Sequence, residues 1–168
     1  MLILGLDPGS LHTGYGLIDC RSGKARAVAA GRWSASANLA VADRLKILAD
    51  GLDDLLQRSR PDFAAMEKPF HGMNSRSVIV LAEARGALLV TLARCGLRVE
   101  EYSPAEVKSA VTGSGRAEKT QVSRMVGLLL GVATSAIPSD ATDALAVALC
   151  SSQRQSLRRL TEPSVVPK

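Results

Sequence analysis

Leu2-Ile-Leu-Gly-Leu-Asp7-Pro-Gly-Ser10, running on into Thr13-Gly-Tyr-Gly-Leu-Ile18, is the stretch on which the fold turns. Leu2 to Leu6 is almost continuously apolar, as expected of a strand buried on both faces. It ends on a carboxylate, Asp7. Pro8-Gly9-Ser10 is a turn signal, and Thr13 to Ile18 reads as a second strand. The pattern predicts a central strand with an acid at its C-terminal end, followed by a hairpin. Setting a carboxylate beside a core costs several kcal/mol unless it is paired, hydrogen-bonded or bound to a metal. Asp7 is therefore either a side-chain cap for the Pro-Gly turn or a functional acid, and the rest of the chain has to distinguish the two.

Beyond Ile18, Arg21-Ser-Gly23 is a turn and Lys24 to Trp33 a third strand, which completes an antiparallel meander. Leu39 to Arg58 is helical, because Leu45, Leu48, Leu52, Leu55 and Leu56 recur at spacings of three and four while Asp43, Lys46, Asp50 and Asp54 populate the other face. Asp62 to Glu67 is a fourth strand, again apolar and again ending on an acid. Laid parallel beside the first, it brings Asp7 and Glu67 about 4.8 Å apart in the sheet. They then share the carboxyl edge, where open α/β sheets place their sites. Two ionised carboxylates at that range repel, and a cation would resolve the conflict. The alternative for Glu67 is an exposed acid at a strand end.

Lys68 to Ser75 is a loop with Phe70 at its tip. Phe70 either folds back onto the body or stays out for a function. Ser75 to Cys95 is a long helix stopped by Gly96, and its small residues Ala82, Ala84, Gly86 and Ala87 allow close approach of a second helix, from this chain or another. Leu97 to Tyr102 is a fifth strand. Ser103-Pro-Ala-Glu106 is a capping box that opens a short helix through Val111. After a flexible link at Thr112 to Arg116, Ala117 to Leu130 is helical, and Lys108, Arg116, Lys119 and Arg124 make this the basic part of the folded body. Ser139 as N-cap puts Asp140 in the first turn of a further helix and Asp143 on the same face three residues later. The helix dipole alone favours acids there.

The length of 168 residues suggests one domain, taken as residues 1–153, and residues 154–168 read as a flexible polar tail. The formal charge of +5 is partly local: Ser151 to Lys168 holds four basic residues against one acid. Charge alone is thus weak support for a nucleic-acid partner. Cys20, Cys95 and Cys150 are odd in number, far apart and without a CxxC spacing, which points to reduced thiols in a cytoplasmic protein and away from a zinc site. The apolar start before Asp7 is too short for a signal peptide or a membrane span, so no membrane association is expected.

Asp7, Glu67, Asp140 and Asp143 thus sit at the ends of separate elements. Such a set suits a hard divalent ion, which takes oxygen ligands and keeps positions open for water and phosphate. The ordered motifs Leu4-Gly-Leu-Asp-Pro-Gly-Ser10, Thr13-Gly-Tyr-Gly16, Met66-Glu67 with Phe70 beyond, Ala84-Arg-Gly86, Glu101-Tyr102, Val107-Lys108, Ala117-Glu-Lys119, Gln121-Val122 and Asp140-Ala-Thr-Asp-Ala-Leu-Ala146 resemble the RuvC family of bacterial Holliday-junction resolvases, from residue 2 to about residue 150. The resemblance implies an α/β, ribonuclease-H-like fold with a five-stranded mixed sheet of order 3-2-1-4-5 flanked by helices. It implies a homodimer that nicks opposed strands of four-way junction DNA in recombination and repair, leaving 5′-phosphate and 3′-hydroxyl ends. It also implies RuvA- and RuvB-type branch-migration partners. The family's metal-binding acids fall on Asp7, Glu67, Asp140 and Asp143, expected to hold two Mg²⁺ with Mn²⁺ as a substitute. Its phosphate-facing lysines fall on Lys108 and Lys119, and its junction-probing aromatic on Phe70. Lys119 is expected to offset phosphate charge in the transition state. Two rivals are an actin-like phosphate-binding fragment, whose first loop Asp7-Pro-Gly-Ser10 resembles, and a junction-binding module without activity.

Overall fold

A computed structural model describes residues 1–69 and 75–161. Five strands, β1 (Leu2–Asp7), β2 (His12–Arg21), β3 (Lys24–Ser34), β4 (Phe63–Glu67) and β5 (Val99–Tyr102), form one sheet of order β3-β2-β1-β4-β5. β1, β2 and β3 are the antiparallel meander; β4 and β5 lie parallel to β1. The mixed sheet and its order are those expected.

Alternation along β1 sorts the core into two layers. Leu4 and Leu6 face α1 (Val41–Ser59) and α2 (Ser75–Arg94), where Leu48, Leu52, Leu56, Leu88 and Leu92 bury with them. Ile3 lies in the opposite layer, built from α3 (Pro104–Thr112), α4 (Lys119–Leu130) and α5 (Ser139–Thr161) through Val107, Val122, Val126 and Leu145. The α1 stripe of leucines is the one the spacing predicts.

α5 lies unusually close to the sheet because β1 and β2 offer it glycines. A Cβ at Gly5 would fall 2.0 Å from the Ala144 carbonyl oxygen, and one at Gly14 would fall 2.0 Å from that of Asp140. No side chain larger than hydrogen fits at either position, so these two residues fix how far the start of α5 sits from the end of β1.

Several boundaries differ from the sequence reading, and three of the differences bear on the site and the tail. α5 starts one residue earlier than an N-cap at Ser139 would place it, since the Thr142 N–H donates to the Pro138 carbonyl. α4 starts at Lys119, with Glu118 as N-cap, instead of at Ala117. The tail expected from residue 154 is helical through Thr161. Its polar residues have partners far away in sequence: Arg154 bonds Glu106 at 3.0 Å, and Gln155 and Arg158 bond Glu100 at 2.7 and 2.6 Å. The capping box at Ser103 and Glu106 forms as expected. Among the described residues, no helix is long and apolar enough to cross a membrane.

Candidate active site

The carboxyl ends of β1 and β4 carry Asp7 and Glu67 side by side, because the β1–β4 register pairs Leu6 with Met66. From the other layer, the first turn of α5 brings Asp140 and Asp143 down to the same edge. Its close approach over Gly14 makes this possible. The four acids expected to act together therefore converge, all of them half-buried.

Their mutual influence is large. Burial first, then the charges of Asp143, Glu67 and Asp140, push the Asp7 carboxyl up to about 7, against a smaller opposing effect of Lys119. Glu67 is raised by burial and by Asp143, with Lys108 and Lys119 opposing. The cluster thus holds more negative charge than its surroundings neutralise.

Cations partly offset it. The Lys119 ammonium donates to Asp143 Oδ2 at 2.6 Å, which raises the lysine pKa. Lys119 is the first residue of α4, where a cation opposes the helix dipole by about 0.3–1 kcal/mol. Its placement breaks a local rule in favour of the acids. Arg32 of β3 donates to Asp140 Oδ2 at 3.2 Å. Lys108, from α3, lines a cleft of about 240 Å³ together with Asp7, Glu67, Lys119 and Asp143, floored by Val107, Val122 and Ala146. A second, smaller cleft lies against the same Asp7–Glu67 pair, walled by Pro8, Lys68, Pro69, Leu81 and Arg85.

Among the described residues, no three acidic, histidine or cysteine side chains are gathered tightly enough to hold an ion as they stand. Lys119 pairs with Asp143, and Arg32 with Asp140. The donor chemistry still fits a hard divalent cation. All four groups are carboxylates, and the raised Asp7 and Glu67 are what a site short of positive charge produces.

Asp7 does not simply cap its turn. That role goes to Thr13, whose buried hydroxyl donates to the Gly9 carbonyl at 2.8 Å and accepts from the Gly9 N–H at 3.3 Å. Phe70 lies outside the described residues. Arg32 and Arg85 are the residues that the sequence reading gave no role. For Arg85 a signal existed: it shares a helical stripe with Leu81, Ala84, Leu88 and Leu92, so an arginine was bound to be buried there.

The family described as "Crossover junction endodeoxyribonuclease RuvC" matches residues 3–151. A Frankia alni protein of that description is 50% identical over 151 residues, which cover 89% of this chain and 77% of its own. A Syntrophomonas wolfei counterpart is 43% identical over 164 residues, 98% of this chain and 95% of its own. The solved structure of Thermus thermophilus RuvC in complex with Holliday junction substrate superposes with a TM-score of 0.88 at 31% identity, covering 94% of this chain and 96% of that one.

Proposed function

Since the chain belongs to the RuvC family of crossover junction endodeoxyribonucleases, we propose that it resolves four-way DNA junctions by nicking opposed strands, leaving 5′-phosphate and 3′-hydroxyl ends. The observation that carries the reading is the convergence of Asp7, Glu67, Asp140 and Asp143 on one sheet edge, with Asp7 held near neutrality. An inactive binding module has no need of an acid cluster whose own charges oppose its burial. The actin-like alternative loses its support, because the chain matches the nuclease family along nearly its whole length.

The four carboxylates would hold two divalent cations, Mg²⁺ or Mn²⁺. When bound, these supply a polarised phosphate and an activated water for phosphodiester hydrolysis. The chain's own groups do the rest. Lys108 and Lys119 face the cleft floor beside the acids and would grip the scissile phosphate, giving binding that weakens with salt. Lys119, already bonded to Asp143, would move its charge to the phosphate as the acids take up their ligand. Arg32 would keep Asp140 oriented from the β3 side.

Phe70, three residues past Glu67, would stack on a base exposed at the crossover, an interaction worth about 1–3 kcal/mol. A homodimer is supported by α2, where Ile79 and Val90 are 59% and 60% exposed on one stripe with Gly86, beside which space is open. Branch-migration proteins of the RuvA and RuvB type complete the proposed setting, in the cytoplasm. The deciding experiment is cleavage of a synthetic mobile four-way junction. Paired nicks with Mg²⁺ and none with EDTA are expected; junction binding without nicks under both conditions would leave the binding-module alternative.

A further inference from the structure

Arg85 is buried, 8% exposed, on the face of α2 that meets the sheet. Burying a guanidinium costs several kcal/mol, and a whole buried ion pair replaced by apolar side chains of similar volume is often as stable or more so. Its presence in a stripe otherwise made of leucine and alanine calls for a reason other than core stability.

The contacts supply one. One arm of the guanidinium donates to the backbone carbonyl of Glu67 at 2.7 Å; the other bonds the Glu101 carboxylate on β5. Glu67 is the last residue of β4, and the β1–β4 register stops one residue before it, at Leu6 and Met66. The residue after Asp7 is Pro8, which has no N–H to offer the neighbouring strand. On the β5 side the chain is held by the Lys68 N–H, which donates to the Tyr102 carbonyl at 2.7 Å. The Glu67 peptide is thus fixed from one side by the sheet and from the other by Arg85. The planar fork is suited to the task, because it spans a carbonyl and a carboxylate at once where a lysine reaches only one.

We propose that Arg85 is a positioning residue: by clamping the Glu67 carbonyl between β4 and Glu101, it holds the Glu67 carboxylate at the orientation the acid cluster needs to take a divalent cation. The inference rests on the nuclease reading of that cluster. Arg85 touches no reacting atom and acts only through Glu67.

The test compares wild type, Arg85→Met, Arg85→Lys and Glu101→Gln by three measurements: melting temperature, Mn²⁺ affinity by electron paramagnetic resonance, and single-turnover cleavage of a four-way junction at several Mg²⁺ concentrations. Arg85→Met keeps the volume but leaves the Glu67 carbonyl and the Glu101 carboxylate without their donor, so its melting temperature should fall, and the comparison is made on its fully folded fraction. Its Mn²⁺ affinity should fall about ten- to hundredfold, as for other outer-shell changes. Its Mg²⁺ requirement should rise by a similar factor, with junction affinity unchanged. Arg85→Lys and Glu101→Gln should fall between. An Arg85→Met protein with wild-type Mn²⁺ affinity and Mg²⁺ dependence overturns the proposal. So does one whose losses match its loss of folded protein. If wild type binds Mn²⁺ but never nicks junctions, the nuclease reading fails, and the Mn²⁺ affinities still decide whether Arg85 orients Glu67.

Discussion

Asp7 and Glu100 are both acids held by the same sheet, and the structure treats them in opposite ways. Glu100, on β5, is 8% exposed and fully provided for: Tyr102, Ser151, Gln155 and Arg158 all donate to it, and its pKa is lowered despite burial. Asp7, on β1, is surrounded by three other acids, and its pKa is raised to about 7. The Glu100 network is finished within the chain and ties α5 to the sheet edge. The Asp7 cluster is left short of positive charge. The same fold therefore spends one carboxylate on stability and withholds another from it.

The largest effect that separates the two regions is expected from Asp7→Asn. Cleavage of a four-way junction should fall by about a thousandfold or more, while junction affinity holds, since the phosphate contacts come from the lysines. Equivalent losses at Glu67, Asp140 and Asp143 should be non-additive, because the four act as one unit. An Asp7→Asn protein that keeps Mg²⁺-dependent turnover would remove Asp7 from the site and erase the contrast.

Lys119→Ala should come next. It removes the cation that partly neutralises Asp143, and cleavage should slow by about ten- to a hundredfold with a smaller change in junction affinity. Measuring rate and affinity across salt concentrations sharpens the assignment: equal defects in both would make Lys119 an ordinary phosphate contact.

How much of this contrast was legible in the sequence follows from distance along the chain. The Asp7 cluster was legible because each acid ends an element with its own pattern: two apolar strands closing on a carboxylate, and an Asp-x-x-Asp pair at a helix start. The sheet order followed from the resemblance, and the meander from proximity. The Glu100 network was not legible, since Gln155 and Arg158 look like ordinary polar residues until β5 and α5 are packed together. That is why a tail was expected at residue 154 where a helix continues. Arg85 escaped in part for a related reason: the helical stripe marks it as buried, but one of its two partners is a main-chain carbonyl, and main-chain acceptors leave no mark in a sequence.

Glu100→Gln should act on stability alone. It keeps the shape of the network but weakens its charge-assisted bonds, which should cost about 1–3 kcal/mol and lower the melting temperature by roughly 3–10 °C. Cleavage per folded molecule should stay at the wild-type level. A thermal shift measured beside a single-turnover assay checks both, and a slower rate in fully folded protein would mean that the Glu100 network reaches the active site.

The last effect is a slope, and it carries opposite signs in the two regions. Asp7 titrates near 3.8 when unfolded and at about 7 when folded, so between those values the folded protein holds more of the proton. Its contribution therefore falls as pH rises from about 4 to 7, by at most about 1.4 kcal/mol per pH unit. Glu100 has a folded pKa below its ordinary 4.5. Its contribution is complete above that value and is lost as pH falls through the folded pKa. Melting temperatures of metal-free protein from acid pH up to pH 8 should then show two limbs. Asp7→Asn should make the upper limb shallower, the raised Glu67 keeping part of it, and leave the lower one, so that the variant melts higher than wild type at pH 8 although it cannot cleave. Glu100→Gln should make only the lower limb shallower, the lowered Asp19 and Glu106 keeping part of it. Saturating Mg²⁺ should raise the wild-type upper limb as the substitution does, by giving Asp7 the positive charge the chain withholds. Curves for wild type and Asp7→Asn that run parallel from pH 4 to 8 would show that Asp7 ionises without strain, and that the two ends of the sheet do not differ in the way described.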